Sequence, residues 1–174
     1  MDTLPELLED ELKDIFNAEN QLLKALPKMA KKASSQSLKS AFTSHLKETE
    51  NHVRRLQEIG TELDIKLTGK TCHAMKGLVE EGKEVIDEDG DGAVIDAALI
   101  GAAQRVEHYE MAAYGTARSF AQTLGHNRVA ELLQETLDEE GAANKKLSEI
   151  SQGEVLAQAK MASDGDEEEE EDKE

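Results

Sequence analysis

The chain has no tryptophan, and aromatic residues make up only 3% of its 174 positions. A core built without them must come from Leu, Ala, Ile, Val and Met, and that vocabulary is helical and argues against a β-rich fold. Proline is scarce too, at two residues, so long helices can run with few interruptions. A single cysteine, Cys72, excludes an internal disulfide and fits a reducing compartment. Positive charge is in deficit: 20 Lys and Arg stand against 38 Asp and Glu, for a formal net charge of −18. Nucleic acid and anionic membrane surfaces are therefore poor partners. Long hydrophobic runs are missing as well. The longest, Ala93 to Ala103, is broken by Asp96 and is too short to span a bilayer. No basic segment followed by an apolar one opens the chain, so no secretory signal is visible and a cytoplasmic location is expected.

What is present is amphipathic periodicity. Thr3 and Glu6 have the spacing of a capping box, with Pro5 in the first turn, where its missing N–H costs nothing. The first long helix then carries Leu8, Leu12, Ile15, Glu19, Leu22 and Leu26 at 3–4 spacing. Pro27 is expected to kink it or end it early. After a cap near Ser34-Ser35, the second helix runs through Phe42, His45, Thr49, His52, Leu56 and Ile59 to about Gly60. A short helix is expected over about 71–86, followed by the acidic loop Asp87 to Gly92. The third long helix runs from Ala93 to about Leu124, where Gly125 stops it. The fourth is capped by Asn127 and carries Val129, Leu133, Thr136, Glu140, Leu147 and Ile150. Order is expected to end at Gly153. The domain is thus residues 1–153, and residues 154–174 are read as a linker and a disordered, dispensable acidic tail. Residues 164–174 hold nine acids and one lysine, so nearly half of the net charge is local.

Short connections make the first and second long helices one antiparallel hairpin, and the third and fourth another. The long connection between the hairpins carries the extra short helix and can cross the bundle and return. This all-α arrangement is the ferritin-like four-helix topology.

Into its apolar stripes the chain places acids. Glu19, Glu107 and Glu140 lie near stripe centres of three helices, and the second helix centres His45, Thr49 and His52, with Glu48 about 80° to one side. Buried carboxylates cost several kcal/mol each unless neutralised, and a shared metal pair neutralises several at once. Di-iron and di-manganese bundles take one Glu from each of two helices and Glu-x-x-His from each of the others. This chain departs from that pattern. Its second helix offers Glu48-x-x-x-His52 or His45-x-x-Glu48, and three residues after Glu140 stands Ala143. Glu110, at i+3 from Glu107, is a candidate for the missing ligand. The expected site is therefore two Fe or Mn ions held by Glu19 and Glu48 at its ends, Glu107 and Glu140 as bridges, and His52. His45 and Glu110 act as ligands or supports. In the competing arrangement Arg105 or Arg118 neutralises the acids without metal. Asp87 to Gly92 opens like a calcium loop, but position twelve is Ala98 in place of the bidentate Glu, so it is read as turn chemistry. Cys72 is read as a buried, inert thiol.

The segments NAENQLLKALPKMA, SHLKETENHVRRL, CHAMKGLVEE, DAALIGAAQRVEHYEMAAYGTA and ETLDEE resemble the YciE/YciF family of ferritin-like bacterial stress proteins. The likeness spans about residues 4–150. It implies a five-helix bundle that forms homodimers and binds metal, with Glu19, His45, Glu48, Glu107, Glu110 and Glu140 on matching positions and His52 where His or Gln is expected. Metal oxidation or removal of peroxide, with O2 or H2O2 as substrate, is the chemistry such a site would support. The alternative is a non-enzymatic, dimeric helical stress protein without metal. Met75, Leu78 and Val79 are expected to remain uncovered for a dimer contact.

Overall fold

The structure, a computed structural model, describes residues 1–162. It consists of α1 (Leu4–Lys32), α2 (Gln36–Glu62), α3 (His73–Asp87), α4 (Gly92–Thr123) and α5 (Asn127–Ile150), then one π-helical turn, Ser151–Val155. Residues 156–162 continue as α-helix, and the described residues contain no strand. The closest packing is α4 along α5 and α1 along α2, and α3 lies against α1 and α4. The all-helical bundle of two hairpins with a short helix in the crossover is therefore observed.

The caps explain most boundaries. Thr3 Oγ1 accepts from Glu6 N, while Glu6 Oε2 accepts from Asp2 N, one residue earlier than a strict capping box requires. Ser35 caps α2 through Leu38 N, and Asp91 Oδ1 caps α4 through Ala93 N and Val94 N. The acidic loop thus performs the turn chemistry expected of it. Gly125, at φ +80°, ends α4 as expected. Three boundaries differ from expectation. Pro27 does not end α1, which continues to Lys32 because Leu26 and Met29 are both packed in the core and hold the last turn. The residue capping α5 is His126, not Asn127, and it makes no side-chain cap bond. Gly153 does not end the order: the helix widens into a π turn around it and seats Val155, 0% exposed, in the core. The acidic run itself lies outside the described residues.

The crossover is pinned at its return. Lys70 Nζ meets Asp10 Oδ2 at 2.5 Å and Asp14 Oδ1 at 3.4 Å. Cys72 N donates to Asn17 Oδ1, Gln21 Nε2 donates to the Cys72 carbonyl, and Cys72 Sγ lies 3.0 Å from the Tyr109 hydroxyl. Cys72 is buried and caps α3 through Met75 N, and burial pushes its thiol pKa up, so it is a structural thiol. This docking also buries Met75 completely and half-buries Leu78 and Val79, so the uncovered face expected on α3 is absent.

The apolar core is split in two. One cluster, around Leu26, Phe42, Leu99 and Leu147, fills one end, and a second, around Leu12, Ile59, Ala117 and Leu133, fills the other. Between them lies a buried polar layer: Glu19, His45, Thr49, His52, Glu107, Glu110, Thr136 and Glu140.

Candidate metal centre

Each helix of the two hairpins contributes to this layer by simple spacing. On α2, His45, Thr49 and His52 recur at 4 and 3, so all three face inward, and Thr49 Oγ1 returns its hydrogen bond to the His45 carbonyl. On α4, Glu107 and Glu110 are one turn apart on the buried face. Glu19 and Glu140 sit at the middle of α1 and α5.

The geometry forms two pockets of ligand atoms. His45 Nε2 lies 3.4 Å from Glu107 Oε1 and 3.6 Å from Glu140 Oε2. His52 Nδ1 lies 3.0 Å from Glu140 Oε1 and 3.4 Å from Glu19 Oε1. The two oxygens of Glu140 thus face different imidazoles. Ligand atoms of His45, Glu107, Glu110 and Glu140 all lie within 4.8 Å of one another, and so do those of Glu19, His52 and Glu140. Both inward imidazole nitrogens, both oxygens of Glu110 and of Glu140, and one oxygen each of Glu19 and Glu107 have no hydrogen-bond partner. Orphaned buried atoms at this density are a standing cost unless a cation gathers them.

The outward imidazole nitrogens are occupied instead. Glu48 Oε2 lies 3.2 Å from His45 Nδ1, and Glu139 Oε2 lies 2.9 Å from His52 Nε2. Each ring is therefore fixed by a half-exposed glutamate on its outer side, with its inner nitrogen free, as in carboxylate–histidine–metal arrangements. The Tyr114 hydroxyl donates to Glu19 Oε1 in the same way.

Burial disfavours the charged imidazole of His45, yet Glu107 and Glu48 outweigh it and raise its pKa to about 9. For His52, burial is outweighed by Glu140 and Glu19, and the pKa rises to about 10. Burial pushes Glu107 and Glu110 well above the carboxylate range, with Glu140 adding repulsion. Glu140 is also penalised by burial, but the two histidines hold it below the ordinary value.

Six of the seven expected residues meet in this layer. Glu48 stands at its edge, 42% exposed and bonded to His45, and joins neither group of ligand atoms. That edge position follows from its offset of about 80° from the stripe. Neither arginine considered as a neutraliser reaches the acids: Arg118 donates to Gln134, and Arg105 is exposed. Sequence reasoning missed Glu139 and Arg55. Arg55 ties Glu139 and the Thr136 hydroxyl together beside His52. The legible signal was Arg55 at i+3 from His52, on the same helix face.

A family described as a domain of unknown function (DUF892) matches residues 3–160. The chain belongs to this family. Protein YciF of Escherichia coli K12 is 43% identical over 152 residues, which cover 87% of this chain and 92% of that protein. The crystal structure of the E. coli stress protein YciF superimposes with a TM-score of 0.84, covering 87% of this chain and 96% of that one. YcfI of Rhodopseudomonas palustris, also 43% identical, matches with a TM-score of 0.82 over 85% of this chain and 94% of its own. A Xanthomonas campestris protein, XCC3681, shares the fold at 21% identity and a TM-score of 0.71, over 92% of this chain and 99% of that one. In this DUF892 member no described helix is long and apolar enough to cross a membrane.

Proposed function

We propose that this protein is a cytoplasmic, homodimeric stress protein whose buried layer holds two Fe or Mn ions for metal oxidation or peroxide removal. The observation that carries the reading is the placement of Glu140, whose two unpartnered oxygens face two separate groups of imidazole and carboxylate donors. Mixed imidazole and carboxylate ligands suit iron and manganese. His45, Glu107 and Glu110 would hold one ion, Glu19 and His52 the other, and Glu140 would serve both. When bound, such ions supply the electron transfer to O2 or H2O2 that side chains lack. The remaining work belongs to the chain. Glu48 and Glu139 orient the two imidazoles, Tyr114 orients Glu19, and the apolar clusters close the layer toward both ends of the bundle.

Metal content per chain, measured on untagged protein purified without chelators and again after reconstitution, tests this. About two Fe or Mn per chain is expected, and none after reconstitution removes the reading. A second reading has its own support. With His45 raised to about 9 and His52 to about 10, two imidazolium ions can offset the acids at neutral pH without metal. The protein is then a non-enzymatic helical stress protein with a polar core, and it takes up no metal under reconstitution. Homodimerisation is supported by the family resemblance. Light scattering over a tenfold concentration range should give the mass of two chains, and a one-chain mass throughout removes it.

A further inference from the structure

A cleft of about 730 Å³ opens between α2 and α5 and descends to the polar layer. Its floor includes His45 and Glu107, both buried, and His45 Nε2 and Glu107 Oε2 have no hydrogen-bond partner. Both atoms are themselves enclosed, and His45 Nε2 turns toward Glu107 and Glu140, so the floor closes the cleft without presenting a free polar atom to whatever enters. The walls include small residues, Ser40 and Ala41 on α2 and Ala142 and Ala143 on α5, with Phe42 and Leu147 adding apolar surface. Position 143 is where a Glu-x-x-His bundle carries a ligand, counted from Glu140. Alanine there leaves the side chain's volume to the cleft.

Charge runs from one end of this cleft to the other. At the inner end Glu48 is committed to His45, and Glu139 to Arg55 and His52. Lys146 lines the cleft six residues beyond Glu140, roughly 9 Å further along the helix axis at 1.5 Å per residue. It makes no ion pair among the described residues. Among the described residues the one uncommitted charge along the walls is thus a cation, and on α5 Ala142 and Ala143 lie between it and the level of Glu140. O2 or H2O2 would need only a small part of this volume, which falls in the range of cavities that hold organic ligands.

We propose that the cleft binds an organic anion with a medium-length apolar body, its anionic head on Lys146 and its far end at the His45–Glu107 floor. As the substrate class of the metal centre, this rests on the function proposed above. As a binding site it stands on the cleft alone. Octanoate is the probe, titrated calorimetrically into the metal-free full chain, with octylamine as the cationic control. Octanoate is expected to bind and octylamine is not. Lys146→Glu should weaken octanoate at least tenfold, and Ala143→Phe, which fills the cleft from a helix face, should abolish binding. Both variants should keep the wild-type helical spectrum, melting temperature and metal content. In Mn(II)-loaded protein the octanoate methyl resonance should broaden more than the protons next to the carboxylate. No octanoate binding, equal binding of the amine, unchanged affinity in both variants, or the reverse order of broadening overturns the proposal. Octanoate bound as expected by a chain that takes up no metal overturns the metal centre and leaves the binding site standing.

Discussion

Replacing Glu110 with leucine is expected to stabilise the metal-free protein, whereas replacing Glu140 with leucine destabilises it, although both changes remove metal. Both carboxyls are buried, and they differ in what faces them. Glu110 has no partner for either oxygen, and burial, with the neighbouring Glu140 adding to it, pushes its pKa well up. In the metal-free chain it is a buried carboxyl without hydrogen bonds, a state that costs about 1–3 kcal/mol. A leucine of similar volume removes that cost, and each kcal/mol raises the melting temperature of a chain this size by about 2–4 °C. Glu140 instead faces both imidazoles, at 3.0 Å and 3.6 Å, and is held ionised by them. Removing it takes a facing carboxylate from two buried cations at once, leaving Glu48 and Glu107 to His45 and Glu139 and Glu19 to His52, for a loss of about 1–3 kcal/mol. Melting curves recorded with chelator should move in opposite directions for the two variants, and metal bound after reconstitution should fall by at least half in both. If Glu110→Leu melts as low as Glu140→Leu without metal, Glu110 has a partner in solution and its assignment as a ligand fails.

The contrast between these two acids also marks how far the sequence could be read. Stripe periodicity alone identified Glu19, Glu107, Glu140 and the two histidines as inward, because a helix of fixed pitch leaves little choice about which way they point. The hairpins followed from connection lengths, and the core from the same spacing. Periodicity treats all inward acids alike, however, and predicts only mutual repulsion among them. Which acid meets which imidazole depends on the rotation and axial shift of four helices, and no single helix encodes these. Glu139 shows the limit from the other side. It is 39% exposed and reads as a surface residue, yet it fixes the outer nitrogen of His52 across the α2–α5 interface. The same cause lies behind the misplaced uncovered face on α3. Met75 belongs to a short amphipathic helix whose burial is decided by where the crossover docks, and Lys70, Cys72 and Tyr109 settle that from distant parts of the chain.

The end of the chain should behave unlike its composition. From Gly153 onward the sequence looks like linker, with a flexible glycine, scattered alanines and then acids, and on that pattern a chain ending at Gly153 would fold as well as the whole. The structure reverses this expectation for residues 154–162. Val155 is fully buried in the same cluster as Leu38, Leu99 and Leu147. Glu154 Oε1 accepts from Ser35 Oγ at 2.9 Å, the side chain that also caps α2. Ser34 N and Ser35 N donate in turn to the two oxygens of buried Asp96, so the α1–α2 turn, the start of α4 and the end of the described chain are held as one unit. Burying a valine contributes about 1.5–3 kcal/mol, and the Glu154 bond about 1 more. Ending the chain at Gly153 is therefore expected to cost about 3 kcal/mol and to lower the melting temperature by roughly 10 °C. Ending it at Ala162 keeps every contact described and should leave the melting temperature within a degree or two of the full chain. Val155→Ala in the full chain isolates the packing part and should fall between them. If the chain ending at Gly153 melts with the full-length protein, the π turn and Val155 do not dock in solution, and the bundle ends where the glycine suggested.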